Sequence, residues 1–191
     1  MAEQDATGTS FPVLEIEGPV ARELPLEERY ATLVNIYKLQ YFATYRHIAQ
    51  RFGWDAANEI AEAMAADAIP FIAEGYRRKF GLPGSGAALV SQVLATEFQV
   101  EGGDFETVHE SEDEAEYKVL CTFGAALQSG EFDDARPVTK GLCDQGCWGF
   151  TQRVSETVKD GLHVEREAWM GDGAPRCHFT IAPRARDADA A

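Results

Sequence analysis

Apolar residues recur every three or four positions between residues 26 and 52. Tyr30, Val34, Tyr37, Tyr41, Tyr45, Ile48 and Phe52 build one stripe, the period of an amphipathic helix. Gly53 is a natural stop. Asp55 caps a second helix through Ile60, Met64 and Ile69, which Pro70 kinks or divides, leaving a further helical piece over 71–80. A loop, Leu82-Pro83-Gly84-Ser85-Gly86, follows, and Ser85 caps a short helix over 87–94.

The period then drops to two. Glu97-Phe98-Gln99-Val100-Glu101 alternates, as do 105–109 and 115–121, with the acidic Ser111-Glu112-Asp113-Glu114 as a hairpin turn. Pro137 opens another helix to about residue 158, and Asp160-Gly161 ends it. Two strands over 162–170 and 177–182 are joined by the turn Gly171-Asp172-Gly173-Ala174-Pro175. This order predicts an α+β fold: a helical N-terminal half, then an antiparallel sheet with a helix packed between two hairpins. Residues 1–24 read as a polar N-terminal arm, 25–183 as a single α+β domain and 184–191 as a disordered tail.

The chain has 191 residues, 32 acidic against 17 basic, for a formal charge of −15. That field repels phosphate backbones and anionic lipid, so neither nucleic acid nor membrane is an expected partner. No apolar run is long enough to span a bilayer and no signal-peptide pattern opens the chain, which implies a cytoplasmic protein. The aromatic helix over 26–52 carries more large apolar residues than one core face needs. A homodimer is therefore expected, with Tyr41, Phe42 and Tyr45 as contacts.

Four cysteines are the candidate chemistry. Cys143 and Cys147 lie one helical turn apart, on one face with Phe150, Val154 and Val158; Cys121 ends a strand before Thr122-Phe123-Gly124; Cys177 opens the last strand. A thiol can fill a core, attack as a nucleophile or hold a metal, and the spacing leaves all three open. Gly141, Gly146 and Gly149 each cost about 1 kcal/mol inside a helix, which calls for close packing or a wall near a ligand. Trp148 beside them offers a flat contact. His163 and His178, on the last two strands, are candidate bases for a thiol, and with opposite pairing they share a face. Cys143, Cys147 and Cys177, completed by Glu165, Glu167 or His163, are candidate zinc ligands. No G-x-G-x-x-G, Walker A or G-x-S-x-G motif occurs.

The pieces from Cys121-Thr122 through Leu142-Cys143 to the closing hairpin, Gly173 to Phe179, resemble two related families. One is the L-2-amino-thiazoline-4-carboxylic acid hydrolase family, where the strand-end Cys is commonly followed by Pro rather than Thr. The other is the 4-vinyl reductase domain, a small-molecule-binding module with a similar last hairpin. In its zinc-holding members an acidic residue and a Cys precede the last Cys; Arg166 and Trp169 stand at those positions here.

The first resemblance implies a hydrolase acting on a small cyclic or amide-like molecule. Cys143 or Cys121 would then be the attacking thiol, with His163 or His178 moving protons. The pocket would lie between the helix after Pro137 and the sheet, lined by Tyr41, Tyr45, Trp148, Arg166 and Trp169. No cofactor is required and zinc is possible. The second resemblance implies a binding module without catalysis.

Overall fold

The computed structural model describes residues 24–129, 143 and 147–184. Apart from Leu24 and Arg184, the expected arm over 1–24 and tail over 184–191 lie outside the described residues, as do Pro137, Gly141 and Gly146. Three helices come first: α1 (Leu26–Phe52), α2 (Trp54–Phe80) and α3 (Gly86–Val100). Then follow β1 (Asp104–Glu110), β2 (Ala115–Leu120), the short α4 (Thr122–Gln128), α5 (Gly149–Val158), β3 (Leu162–Ala168), a 3-10 turn (Met170–Asp172) and β4 (Cys177–Pro183). The four strands form one antiparallel sheet in the order β1-β2-β4-β3. The α+β class expected from the sequence is the class observed. No helix among the described residues is long and apolar enough to cross a membrane.

The helical half differs from expectation in three places. Pro70 does not divide α2, which runs unbroken from Trp54 to Phe80. Pro70 removes one backbone hydrogen bond, but Ile69 and Ala73 on either side are both buried. An ion pair from Arg153 on α5 to Glu62 also ties α2 down. Asp55 sits in the first turn, and Gly53, at φ 92°, takes the capping position. The alternation over 97–101 is not a strand: it is the last turn of α3 and its cap Glu101, with Val90, Leu94 and Phe98 on the helix's buried side. Five alternating residues fit a helix end as well as a strand, and burial of this apolar row decides between them. Nor is the exit after Cys121 an exposed turn, because α4 begins at Thr122.

The core fills the space between the helices and one face of the sheet. Ala115, Tyr117 and Val119 of β2, Cys177, Phe179 and Ile181 of β4, and Leu162 and Val164 of β3 point inward against α3 and Val154 of α5. A ladder of rings runs through it: Phe98 to Phe105 at 6.2 Å, Phe105 to Tyr117 at 4.7 Å and Tyr117 to Phe179 at 5.2 Å. Such pairs add to area burial. A second, smaller cluster joins α1 to α2 through Phe42, Tyr45, Ala49, Ala57 and Ala61. Phe42 and Tyr45, expected at a dimer contact, are thus spent inside the subunit. The exposed apolar residues of α1 include instead Leu26, Leu33, Ile36 and Leu39.

One glycine fastens the two halves together. Gly86 starts α3 at φ +54°, and a Cβ there would meet Glu112 O at 2.2 Å. Beside it, Ala87 N donates to the same carbonyl at 2.8 Å. Both strain and overlap oppose any side chain. The Gly86→Ala variant is expected to lose about 2 kcal/mol or more, read as a lower urea midpoint at unchanged slope.

Candidate functional site

A cavity of about 240 Å³ opens between α1, α2, the end of α3 and the cysteine segment. Its wall on α2 is built of small side chains. Ala61, Ala65 and Ala68 recur at helical spacing on the lining face, with Met64 and Ile72 beside them, and their short side chains leave volume that neighbours do not fill. Opposite, α1 contributes Tyr37 and Tyr41, and α4 contributes Phe123. These rings contact one another, Tyr41 to Phe123 at 5.6 Å and Tyr37 to Phe123 at 6.3 Å. Tyr37 and Met64, 46% and 57% exposed, mark the mouth. The remaining wall is Phe98, Phe150 and three thiols: Cys121, Cys143 and Cys147. Cys147 and Trp148 sit in a wider, π-type turn directly before α5, a winding often found beside functional sites.

The carboxyl groups facing this space are Glu97 and Glu101, one turn apart at the end of α3. Burial first, and the charge of Glu97 second, push the Glu101 carboxyl up to about 8. Burial also raises Glu97, against the opposing pull of a hydrogen bond that Tyr76 Oη donates to it at 2.5 Å. Burial, then the carboxylates and Tyr41, hold Tyr37 up at about 12. At neutral pH the site therefore carries a protonated acid in apolar surroundings.

Cys121, Cys143 and Cys147 line the cavity together, whereas Cys177, expected beside Cys143 and Cys147 as a metal ligand, does not. Cys121 is pushed up to about 12 by burial and Cys147 well above its usual value for the same reason. Cys177 is raised by burial too, and accepts a hydrogen bond from Met170 N at 3.4 Å outside the cavity. The two candidate bases are elsewhere. Cys177 and Phe179 of β4 point into the core, so His178 between them points to the outer face, as His163 does between Leu162 and Val164. His178 is held there by Glu116 at 2.7 Å and Glu167 at 3.2 Å. His163 pairs in register with Ala182, well along the strand from His178. The shared face expected for the two histidines is real, but it is the wrong face for a thiol.

The expected lining is only partly present. Tyr41 lines the cavity. Tyr45 does not: it bonds to Asn58 and packs against Trp54 at 6.3 Å. Trp148 donates to Val164 O at 3.3 Å. The Arg166 guanidinium lies over the Trp169 ring at 4.8 Å and the Trp148 ring at 5.7 Å, and donates to Cys143 O at 3.4 Å. This Trp–Arg–Trp stack stands behind the cysteine segment and does not face the cavity. Among the described residues no group of three His, Cys, Asp or Glu is placed to hold a metal ion. The sequence reading missed Glu97, Glu101, Phe123 and the alanine face. A strand over 97–101 would put the two acids apart from this cavity; at helical spacing, Glu97 and Glu101 share a face.

No family model matches the sequence, and no curated protein matches it. Among solved structures the chain is similar to the phenol-responsive sensory domain of the transcription activator PoxR, crystallised with phenol. The TM-score is 0.52 at 13% identity, over 76% of this chain and 74% of that one. The likeness is one of fold.

The raised Glu101 has a consequence for stability. Between the unfolded carboxyl value near 4.5 and the folded value of about 8, the native state keeps a proton that the unfolded chain has lost. Stability therefore falls as pH rises through that window, with a slope of about 1 kcal/mol per pH unit from this group. Urea melts at pH 5, 6, 7 and 8 are expected to show the decline, and Glu101→Gln to flatten it.

Proposed function

We propose that this chain is a small-molecule-binding module whose ligand is a single-ring, largely apolar molecule held in the α1–α2–α3 cavity. The observation that carries this reading is the cavity itself: about 240 Å³, walled by aromatic, alanine and thiol side chains with two polar groups at one end. Dry apolar cavities of ~150 Å³ accept benzene, and convergent polar groups in an apolar pocket fix a ligand's orientation. The fold shared with a domain crystallised with phenol supports the same reading. Thiol-assisted hydrolysis has weaker support. A nucleophilic Cys needs a lowered pKa and a base within reach; Cys121 and Cys147 are shifted the other way, and both strand histidines face away.

A thermal-shift titration with phenol, toluene and benzyl alcohol tests the reading. Ligand at one hundred times its dissociation constant is expected to stabilise by about 2.7 kcal/mol, a rise of roughly 5–10 °C for a domain of this size. Ala65→Phe, which fills the cavity, is expected to remove the rise while circular dichroism shows the fold retained. No rise with any one-ring compound would contradict the proposal.

For the assembly we propose a homodimer through the exposed face of α1. Leu26 is 80% exposed and Leu33 64%, and neighbouring apolar exposure of this kind marks contact surfaces. Light scattering on a size-exclusion column is expected to give twice the 21.0 kDa chain mass. Leu33→Glu is expected to shift the protein to monomer.

A further inference from the structure

Two carboxyl side chains and no cationic one face the cavity among the described residues: Glu97 and Glu101. Glu97 receives the Tyr76 hydrogen bond. Tyr76 donates to Glu97; among the described residues the Glu101 carboxyl has no hydrogen bond or ion pair, while its backbone N–H donates to Glu97 O at 2.9 Å and its carbonyl accepts from Thr122 Oγ1 at 3.3 Å. The carboxyl pair lies at the C-terminal end of α3, where the helix dipole adds further negative potential. Facing it, Tyr37, Tyr41 and Phe123 form a cluster of three rings with centroids 6.1, 6.3 and 5.6 Å apart. Ring faces and carboxylates attract the same kind of group, a desolvated organic cation.

We propose that the cavity selects a protonated organic amine, a small apolar or one-ring body whose ammonium sits among Glu97, Glu101 and the Tyr37–Tyr41–Phe123 rings. This rests on the small-molecule-binding reading and names the ligand class of the same site. The Glu97 carboxylate disfavours an anion, and an uncharged ring without a hydroxyl leaves Glu101 without a partner.

Uptake of the cation is coupled to loss of a proton. In the empty cavity Glu101 is held up at about 8 and is protonated at neutral pH. When the ammonium enters, the Glu101 O–H bond breaks. The electron pair stays on the carboxylate, the proton leaves to solvent and the ammonium keeps its own protons. The other titratable groups facing the pair are Tyr37 and Tyr41 from α1, Tyr76 from α2 and Glu97 from α3. The thiols of Cys121, Cys143 and Cys147 complete the set. Burial raises Tyr37, Tyr41, Tyr76, Cys121 and Cys147, so these stay neutral throughout.

Calorimetry with the full chain at pH 7, using benzylamine, benzyl alcohol and benzoate as probes, decides the matter. Benzylamine is expected to bind at least about tenfold more tightly than benzyl alcohol, and benzoate not at all. The heat is expected to differ between phosphate and Tris by the amount of about one proton released. In Glu101→Gln the ratio of benzylamine to benzyl alcohol affinity is expected to fall to near one and the proton release to vanish. Benzyl alcohol binding as tightly as benzylamine in the unaltered protein would overturn the inference while leaving the binding-module reading in place. Binding of neither would overturn both. A tenfold ratio that survives in Glu97→Gln and in Glu101→Gln would show that the cation sits elsewhere.

Discussion

A carboxylic acid in an apolar space must find a partner or keep its proton, and Glu101 keeps its proton. That constraint follows from how α3 is buried. Ala87, Val90, Val93 and Leu94 are fully enclosed by the sheet and the other helices, so the register of the helix is fixed along its whole length. Once it is fixed, the last turn has no freedom: Phe98 goes to the core, and Glu97 and Glu101 go to the gap between α1 and α2. Their desolvation is offset by the burial of the apolar row behind them, at about 25 cal/mol per Å². The site is thus a by-product of core packing at one end of α3 and gains its chemistry from being dry.

The gap itself is a matter of side-chain volume. On α2, alanines stand where larger residues would close the space; on α1 and α4, rings reach across but meet one another edge-on rather than the alanines. Ring–ring contacts to Phe42, itself buried in the α1–α2 cluster, hold Phe123 in place. The cavity wall is therefore part of the packed structure, which favours a preformed site. The same burial that raises Glu101 raises the Cys121 and Cys147 thiols, so these act as soft, polarizable wall.

Regular elements with long, clean patterns were readable from the sequence: the amphipathic row of α1, the hairpin around Ser111–Glu114 and the last two strands with their glycine-rich turn. The pairing of Cys143 with Cys147 on one face was legible, whereas Cys121, expected at an exposed strand exit, is buried and joins them. The acids were not. Glu97-Phe98-Gln99-Val100-Glu101 alternates perfectly for a strand, and only the depth of the preceding helix, set by long-range contact with β1 and β2, extends α3 through it. The histidine positions were right in facing one another's side of the sheet, but which side faces the helices depends on strand order, which local pattern does not encode. Likewise Pro70 reads as a break, and α2 is continuous because tertiary burial of Ile69 and Ala73 outweighs a local preference.

The central claim is that the space bounded by Tyr41, Phe123 and the α3 carboxyls is where a ligand sits. The most direct test is nuclear magnetic resonance on protein with isotope-labelled aromatic and alanine side chains and an unlabelled one-ring ligand. The account predicts ligand-to-protein Overhauser contacts to the Tyr41 and Phe123 rings and to the methyl groups of Ala65 and Ala68, with none to Trp148. Contacts confined to Trp148 and Trp169, on the far side of the cysteine segment, would contradict it.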